Sequence, residues 1–446
     1  MRLSGEQQAV VAAAREGGVR EVRVVFLDYN GLPRARSVMI DRLPQAFERG
    51  INFSSPTVDF NSRDLFPPAA AFDLASPDFW AIPDPATYRP APGETGVGQL
   101  LADLAGAGGA PWEGCPRTAL RRAAERAAGR GIAFNAGFEP EGYLFRDTGD
   151  GVELVGAPRF ATADGLEVAP AFMRDLLTYL ATAGVPVEQW SEEYGPGQVE
   201  VNLRYTAPPA AADGLVIYRL AFRSLARRHG LLGSFMPKPF EDQAGSGLHV
   251  HLSASPPDEP ETNLFDDPGD ELGLSTLGRQ ALAGLLAHGA ALTALGASTV
   301  NSYRRFLPGS WAPTHIMYAY ASRAAFVRIP ERETARRLEL RIGDGACNPY
   351  LYLTGILAAM VDGIERGLDP GPPLPGDVGT TAGAGAAPAV PPTLDRALEA
   401  LEADQVMSDA LGSVIFEEYI RVKRSEWEAY RKHVPEWDRE WYLRRY

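Results

Sequence analysis

Hydrophobic and polar residues alternate with a period of two in several segments of this 446-residue chain. Within 248–253, leucine and valine alternate with His249, His251 and Ser253. Because successive side chains of a β-strand point to opposite faces, this pattern predicts a strand with one aliphatic and one polar face. Three further segments alternate likewise, with polar faces formed by Glu139, Glu141 and Tyr143 in 137–145, by Glu200 and Asn202 in 198–203, and by Arg337, Glu339 and Arg341 in 337–342.

Strands are also predicted near the N-terminus. The segments 21–27 and 36–40 are rich in strand-forming residues, and Asn30 and Gly31 between them suit a tight reversal between antiparallel strands. In the later segment 137–145, Pro140 predicts a sheet edge or a bend, because proline cannot donate a hydrogen bond to a neighbouring strand.

Helical periodicity and composition divide the rest of the chain. Helices are predicted at 1–18, between Pro116 and Gly131, at 393–404 and at 413–434. Residues 81–111 are rich in proline, glycine and alanine, which predicts a boundary between a small β-rich domain, 1–112, and a large domain, 113–446. The segment 367–392 contains too much glycine and proline for regular structure and is predicted to be a surface loop. The predicted fold class is α+β.

Composition excludes several classes of function. A formal charge of −14 and an isoelectric point near 5.0 argue against nucleic acid or an anionic membrane as a partner. Only two cysteines are present, too few for a disulfide framework or a thiolate metal site. No apolar run reaches the ~20 residues of a membrane span. We therefore expect a cytoplasmic protein.

The polar faces of the predicted strands carry glutamate and histidine and contain no lysine. Any one such strand is explained equally well by an ordinary solvated face. Together, carboxylates gathered on one surface repel one another unless cations neutralise them. Oxygen-rich sites with an occasional imidazole suit Mg²⁺ or Mn²⁺ better than zinc. The pattern therefore predicts divalent metal.

Arginines are concentrated between residues 304 and 341. Most of them are individually compatible with surface ion pairs, but Arg341 shares a strand face with Glu339. Metal ions beside bidentate, permanently charged donors are suited to polyphosphate binding and phosphoryl transfer. The sequence contains no GxxxxGK[ST] motif, so metal and arginine, rather than a P-loop, are expected to hold the phosphates.

The sequence resembles class I of the glutamine synthetase family over essentially its whole length. The segments that carry the resemblance are GFEPEGYLF, EEYGPGQVEV, FMPKPFEDQAGSGLHVHLS, TVNSYRRFLPG, SRAAFVRIP and RRLELRIGDGACNPYLYL. The resemblance implies a small N-terminal β-grasp domain and a large catalytic domain in which curved antiparallel strands, flanked by helices, form a bifunnel. ATP enters one end of the bifunnel and glutamate the other.

The resemblance also implies roles for individual residues. One metal ion would be held by Glu141, Glu193 and Glu200, and a second by Glu139, His249 and Glu339. ATP would be bound by His251, Ser253, Arg328 and Arg337. The catalytic arginines would be Arg323, Arg328, Arg337 and Arg341. Glutamate would be held by Gly245, Arg305 and Arg341.

The implied reaction has two steps, in which ATP phosphorylates the γ-carboxylate of glutamate and an amine then displaces phosphate to leave an amide. The resemblance further implies a homo-oligomer of hexameric rings, commonly a dodecamer, with active sites shared between neighbouring subunits.

Departures from the family pattern concern the nitrogen substrate. Ammonia-using members carry a glutamate in a loop after the NSYRR segment, where this chain has Trp311. Those members also carry an Asp-Gly-Ser-Ser element in the N-terminal domain, and here Ser54 and Ser55 stand in its neighbourhood. Glu192 replaces a histidine found in many relatives. The resemblance is therefore greatest to the glutamate–amine ligases that make γ-glutamylpolyamines or γ-glutamylputrescine, with Trp311 as part of the amine site.

Three alternatives remain open at the level of sequence. An ammonia-dependent glutamine synthetase would have drifted at these positions without losing its activity. An inactive regulator or scaffold would have lost catalysis, although every predicted metal position keeps a ligand-type residue. A pure binding module would turn over no nucleotide, so release of ADP in the presence of glutamate and an amine separates it from the enzymes.

Overall fold

The structure is a computed structural model that describes residues 3–68, 70–73, 75–157, 159–331, 336–374 and 387–446. The helices are α1 Gly5–Glu16, α2 Leu43–Arg49, α3 Pro116–Ala128, α4 Pro170–Thr182, α5 Pro208–Arg228, α6 Thr276–Ala287, α7 Gly289–Gly296, α8 Pro349–Glu365, α9 Leu394–Glu402, α10 Gln405–Leu411, α11 Ser413–Lys432 and α12 Glu436–Tyr442. The predicted loop 367–392 lies partly outside the described residues.

The strands are β1 Glu21–Leu27, β2 Pro33–Met39, β3 Ile51–Phe53, β4 Phe79–Pro83, β5 Arg89–Pro90, β6 Val97–Ala105, β7 Ala133–Asp147, β8 Val152–Leu154, β9 Val187–Glu192, β10 Gln198–Leu203, β11 Leu231–Ser234, β12 Leu248–Ser255, β13 Tyr318–Tyr320, β14 Val327–Ile329 and β15 Leu338–Leu340. Together with the helices they form the mixed α and β architecture that the sequence predicts. No helix in the described part of the chain is long and apolar enough to cross a membrane.

The N-terminal sheet has the strand order β2-β1-β6-β4-β3, and β5 also pairs with β6. Strand β1 is antiparallel to β2 and parallel to β6. Helices α1 and α2 cover this sheet, since Val11, Phe47 and Leu43 form a buried cluster with Val22 and Leu100. A mixed sheet covered by a helix between its second and third strands agrees with the expected β-grasp arrangement.

The turn between β1 and β2 packs against the segment just before α8. Gly31 has φ 76°, and its amide donates to the Asp28 carbonyl at 2.9 Å. A Cβ atom at this position would lie 2.8 Å from the carbonyl oxygen of Cys347. Glycine is therefore required twice, for its left-handed backbone and for the close approach of the turn to the backbone at Cys347. The predicted boundary near residue 112 falls between β6 and α3 and stays a prediction.

The large sheet has the order β13-β14-β15-β12-β7-β10-β9, and β8 and β11 also pair with β7. Every pair in it is antiparallel except β13 with β14. The aliphatic faces predicted from the alternation are buried, and Leu248, Val250, Val199, Val201 and Leu340 have no exposed surface. Burial of this face orients the polar face away from the core.

The prediction that Pro140 marks a sheet edge is wrong. Strand β7 is interior, because it pairs with β12 on one side and with β10 and β11 on the other. Pro140 stands opposite Leu248, the last position of the β12 pairing, and the next amide, that of Glu141, donates to the carbonyl of Gly247 at 3.1 Å. The missing N–H thus falls where one ladder ends and leaves no gap within it.

Candidate active site

The polar faces of the central strands form one continuous surface. In the antiparallel ladders, His249 stands opposite Glu139 and His251 stands opposite Glu339. Residues opposite each other in a sheet have their Cβ atoms about 4.5–5.5 Å apart. Three strands that are distant in sequence, β7, β12 and β15, therefore bring carboxylates and imidazoles together.

Glu139 lies at the centre of this surface. Its Oε1 accepts a hydrogen bond from Asn202 Nδ2 at 2.6 Å and lies 2.8 Å from His251 Nε2. Its Oε2 lies 3.4 Å from His249 Nδ1. Burial raises the pKa of Glu139, but the interactions with His251 and His249 outweigh burial and hold the pKa well below its usual value. Glu139 is therefore ionised at neutral pH.

Glu339 is almost completely buried and forms ion pairs with two arginines. Arg328 Nη1 donates to its Oε2 at 2.7 Å, and Arg341 donates to its Oε1. Burial raises the pKa of Glu339, and the charges of Arg341 and His251 more than compensate, so that the pKa falls to about 2. The Glu339 carboxylate, two guanidinium groups and the imidazole of His251 thus lie close together in this part of the site.

At Glu193 and Glu200, burial and neighbouring carboxylates outweigh the nearby positive charges. Glu141 Oε2 accepts hydrogen bonds from the Gly247 amide at 2.8 Å and from Gln198 Nε2 at 3.2 Å. Burial and the charge of Glu141 raise the pKa of Glu193 to about 8. Burial and the charges of Glu139 and Glu141 raise the pKa of Glu200 well above its usual value. This part of the site has an excess of negative charge that a bound cation would neutralise.

Two groups of side chains could hold a metal ion. Potential ligand atoms lie within 4.8 Å of one another in the group Glu139, His251 and Glu339 and in the group Glu139, Glu200 and His249. The donor atoms are carboxylate oxygens and imidazole nitrogens, which fit Mg²⁺ or Mn²⁺. Glu141 and Glu193 are not members of these two groups. His251, which the resemblance assigns to ATP, is within the first group.

A glycine-rich turn brings the backbone against this cluster. A Cβ atom at Gly247 would lie 3.1 Å from His249 Nε2 and 3.3 Å from Glu141 Oε1, and one at Gly245 would lie 2.8 Å from Cγ of Arg305. These contacts are tighter than a side chain normally tolerates. The Gly-Ser-Gly sequence therefore permits the turn to pack between the strands and Arg305.

Arg305 comes from a 3-10 helix, Val300–Arg305, that begins with a capping box. Thr299 Oγ1 accepts from the amide of Ser302 at 3.1 Å, and Ser302 Oγ accepts from the amide of Thr299 at 3.2 Å. The buried Arg305 guanidinium then donates to the carbonyl of Ile342 at 3.3 Å. The cap fixes the direction in which this segment enters the site.

Other predicted ATP and phosphoryl residues lie on the same sheet. Arg337 Nε donates to His251 Nδ1 at 2.8 Å, and Arg328 Nε donates to the carbonyl of Ala321 at 3.0 Å. Ser253 follows His251 on the same face of β12, opposite Asn135. Arg323, between β13 and β14, is close enough to Glu193 to favour its ionised form. The predicted residues are thus gathered around one surface.

Trp311 lies in the segment after Arg305, with a left-handed φ of 61° and a half-exposed side chain. Its ring contacts the ring of Tyr194 at a centroid distance of 5.3 Å. Tyr194 directly follows Glu193, and it was missed in the sequence because no local pattern connects it with Trp311. Glu192 is buried, with 2% of its surface exposed, so it is not a solvated surface carboxylate.

Comparisons with known proteins agree with this geometry. The sequence model described as "Glutamine synthetase, catalytic domain" matches residues 113–442. A glutamine synthetase from Halobacterium salinarum is 32% identical, with 100% of this chain and 98% of the relative covered. A glutamate–methylamine ligase from Methyloversatilis universalis is also 32% identical, covering 96% of this chain and 97% of the relative.

Solved structures have the same fold. A structure described as a GmaS/ADP complex superposes with a TM-score of 0.89 at 34% identity, covering 98% of this chain and 99% of the other. A "novel glutamine synthase homolog" superposes with a TM-score of 0.82 at 29% identity, covering 93% and 96%. Sequence match and fold agree, and the chain belongs to the glutamine synthetase family of ligases.

Proposed function

We propose that this protein is an ATP-dependent ligase that joins the γ-carboxylate of glutamate to an amine through γ-glutamyl phosphate. The observation that carries the proposal is the carboxylate and histidine cluster around Glu139, together with Trp311 in the loop where ammonia-using relatives carry glutamate. The similarity to a glutamate–methylamine ligase and to GmaS structures supports it. Glutamine synthetases are equally similar, so overall identity does not decide between the amine and ammonium.

The carboxylate and histidine cluster is the proposed metal centre. Glu141, Glu193 and Glu200 are assigned to one divalent ion, and Glu139, His249 and Glu339 to a second, and members of both sets meet in the close groups around Glu139. Mg²⁺ or Mn²⁺ held there would neutralise the charge of the ATP phosphates. The glutamates bring the negative charge that attracts the ions, and His249 completes the second set.

Arginines are proposed to stabilise the transferring phosphoryl group. Arg323, Arg328 and Arg337 are assigned to it, and His251 and Ser253 to the phosphates of ATP. Arg328 is fixed by Glu339 and Arg337 by its hydrogen bond to His251, so both guanidinium groups are oriented before substrate binds. Donors fixed in advance stabilise developing charge without a further cost of reorganisation.

Glutamate is proposed to bind beside the glycine-rich turn. Gly245, Arg305 and Arg341 are assigned to it, and both guanidinium groups are buried, with about 5% of each side chain exposed. After a γ-carboxylate oxygen has attacked the terminal phosphorus of ATP and displaced ADP, the amine nitrogen attacks the carbonyl carbon. Phosphate leaves, and the nitrogen loses a proton to give the amide.

Trp311 determines the kind of nitrogen nucleophile in this proposal. A glutamate in that loop can attract ammonium and accept its proton, whereas an indole can do neither. An indole instead presents an apolar surface to an alkyl chain and a π face to a cation. The loss of the carboxylate therefore disfavours ammonium and favours a larger amine, such as a monoamine, diamine or polyamine.

The test is release of ADP with glutamate and a panel of nitrogen substrates, with the amide product identified by mass spectrometry. The panel contains ammonium, methylamine, ethanolamine, putrescine, spermidine and spermine. We expect turnover with at least one amine to exceed turnover with ammonium. Turnover with ammonium alone would make the protein a glutamine synthetase, and no turnover with any nucleophile would leave a regulator or binding module.

The proposed assembly follows the family. We assign the chain to a homo-oligomer of hexameric rings, either single or paired as a dodecamer, in which neighbouring subunits share active sites. Analytical ultracentrifugation tests this assignment, and an active monomer at assay concentration would contradict it.

A further inference from the structure

Three exposed aromatic side chains meet at the edge of the active site. They are Phe160, between β8 and α4, Tyr194, between β9 and β10, and Trp311. The exposed fractions of these residues are 40%, 47% and 48%. The rings of Phe160 and Tyr194 are stacked with centroids 4.1 Å apart, and Trp311 stands nearly perpendicular to both, 6.5 Å from Phe160 and 5.3 Å from Tyr194.

The backbone around this cluster has an unfavourable conformation at two positions. Ala161, next to Phe160, has φ 52°, and Trp311 has φ 61°. Residues other than glycine rarely adopt a left-handed conformation, and such residues concentrate at binding sites, where the surrounding structure holds them. Two segments that are distant in sequence thus adopt an unfavourable backbone conformation at the place where their aromatic rings meet.

Hydrogen bonds attach both strained segments to the active site. The amide of Ala161 donates to the carbonyl of Glu192 at 3.3 Å, so the Phe160 segment rests on the residue before Glu193. In the other segment, Ser310 Oγ donates to the carbonyl of Arg305 at 2.7 Å. The aromatic cluster is therefore held between the segment that carries Glu193 and the segment that carries Arg305.

An exposed aromatic cluster beside charged side chains offers a binding surface to a ligand of matching chemistry. Rings bind alkyl carbons through apolar contact, and their faces attract ammonium groups. The outer centroids, those of Phe160 and Trp311, are 6.5 Å apart. Because a carbon–carbon bond is about 1.5 Å long, a single methyl group covers only part of this surface, whereas a chain of several carbons spans it.

We propose that Phe160, Tyr194 and Trp311 form the binding surface for the carbon chain of the amine and select amines with a chain of about four carbons. This inference rests on the proposed function and adds Phe160 and Tyr194 as specificity-determining residues. The reacting nitrogen points toward Glu193, and the far end of the chain lies against the rings. A second ammonium at that end is attracted by the ring faces.

The test is a series of methylamine, ethylamine, propylamine, butylamine and 1,4-diaminobutane, measured as kcat/KM. Burial of each CH₂ is worth about 0.8 kcal/mol, so kcat/KM of the wild-type protein should rise roughly fourfold per added carbon. Phe160→Ala and Tyr194→Ala should reduce this rise to less than about twofold per carbon. KM for ATP and glutamate should stay unchanged.

Two further variants separate the contributions of the rings. Tyr194→Phe keeps the aromatic face and should retain the dependence on chain length. Tyr194→Leu keeps an apolar surface but removes one of the three π faces, so it should reduce the preference for 1,4-diaminobutane over butylamine while keeping the dependence on chain length. Tyr430→Ala, which removes another exposed aromatic ring on α11, is the matched control and should behave like the wild-type protein.

The outcomes distinguish this inference from the proposed function. If the wild-type protein uses alkylamines but Phe160→Ala and Tyr194→Ala leave the dependence on chain length unchanged, the inference is wrong while the proposed function stands. If the wild-type protein uses ethanolamine, spermidine or spermine but no member of the alkylamine series, the inference is wrong while the proposed function stands, and if it uses no amine at all, both fail. If either variant lowers turnover with all amines equally and dissociates the oligomer in size-exclusion chromatography, the rings form a subunit contact and the inference is overturned.

Discussion

Glu200 of β10 stands directly opposite Glu141 of β7 in the antiparallel ladder. Like charges at opposite positions destabilise a sheet. Burial and neighbouring carboxylates raise the pKa of Glu200 well above its usual value, which expresses the same cost. A fold that keeps such a pair at the centre of its largest sheet gains stability from a bound cation, and this relationship leads to the first prediction.

Mg²⁺ or Mn²⁺ is predicted to be required for turnover and to stabilise the fold. A ligand at one hundred times its dissociation constant stabilises the native state by about 2.7 kcal/mol, so addition of metal should raise Tm by several degrees. Glu141→Ala and Glu339→Ala should abolish ATP turnover and weaken the metal-dependent rise in Tm. Glu188→Gln, at an exposed glutamate on β9, is the control and should retain both properties. Full activity after exhaustive chelation would contradict the assignment.

The alternation in the sequence predicted strands β7, β10 and β12 and the residues on each polar face, because one side of each strand is fixed by burial. It did not determine the register between strands. Register depends on contacts between segments far apart in the chain, so the grouping of His251 with Glu139 and Glu339 emerged only from the structure.

Strand β15 is shorter than the predicted segment 337–342 and contains only Leu338–Leu340. Its partner β14 is equally short. The pairing between these two strands consists of Val327 with Leu340 and Arg328 with Glu339. The extent of a strand is set by its neighbours as well as by its own pattern. The contact of Phe160 with Tyr194 was invisible in the sequence for a related reason, since isolated aromatic residues have no periodicity.

A buried histidine outside the active site gives a prediction about pH. His288 Nδ1 lies 2.6 Å from Asp404 Oδ2, and His288 Nε2 lies 3.0 Å from Asp362 Oδ2. Burial lowers the pKa of His288, but the hydrogen bonds to Asp404 and Asp362 outweigh it and raise the pKa above 6.5. The folded state therefore binds the proton more tightly than the unfolded state. The stability that the fold gains from this proton is fully present below pH 6.5 and is lost as the pH rises through the folded pKa.

The measurement is the free energy of unfolding in urea between pH 6 and pH 9. Its decrease with rising pH should be smaller in His288→Gln than in the wild-type protein. Removal of the buried cation should also destabilise the variant by about 3–5 kcal/mol at pH 6, because Asp404 loses its charged partner and Asp362 keeps only the more exposed Arg366 among the described residues. His229→Gln is the control, since His229 pairs with a single, more exposed carboxylate, Asp175. Identical pH dependence in His288→Gln and the wild-type protein would refute the role of His288.

Arg117 is predicted to stabilise the contact of the N-terminal sheet with helices α3 and α5. Its guanidinium donates to both oxygens of Asp213 on α5, at 2.9 and 2.7 Å, and also to Asp103 on β6 and to Asp84. Lysine cannot reproduce this arrangement because it has no planar set of donors. Arg117→Lys should lower the free energy of unfolding by about 2 kcal/mol or more, as expected when a buried charge loses hydrogen-bonding partners.

Arg121→Lys is the matched control for Arg117→Lys. Arg121 lies on the same helix and, within the described part of the chain, forms an ion pair with Asp103 alone, with 39% of its side chain exposed. Exposed pairs of this kind contribute about 1 kcal/mol or less. Equal destabilisation by the two substitutions in urea titrations would show that the ion pairs of Arg117 stabilise the fold no more than the single exposed pair of Arg121.

The last prediction concerns the choice between an amine and ammonium, and it rests on Trp311. Attraction between its ring and a distal ammonium is worth about 0.5–2 kcal/mol, depending on desolvation. Ammonium has neither a chain to place against the ring nor a carboxylate in this loop to accept its proton. We therefore expect kcat/KM for a diamine or polyamine to exceed that for ammonium by at least about tenfold, or about 1.4 kcal/mol of transition-state stabilisation.

Trp311→Glu should reduce the difference in kcat/KM between the amine and ammonium. Loss of the aromatic surface lowers kcat/KM for the amine, and the restored carboxylate attracts ammonium and raises its kcat/KM. Trp311→Gln removes the ring without adding charge, so it should lower kcat/KM for the amine while leaving ammonium turnover low. The comparison of the two variants separates loss of the ring from gain of the charge. If the wild-type protein releases ADP fastest with ammonium and ignores every larger amine, Trp311 does not select the nucleophile, and the protein is a glutamine synthetase with an unusual loop.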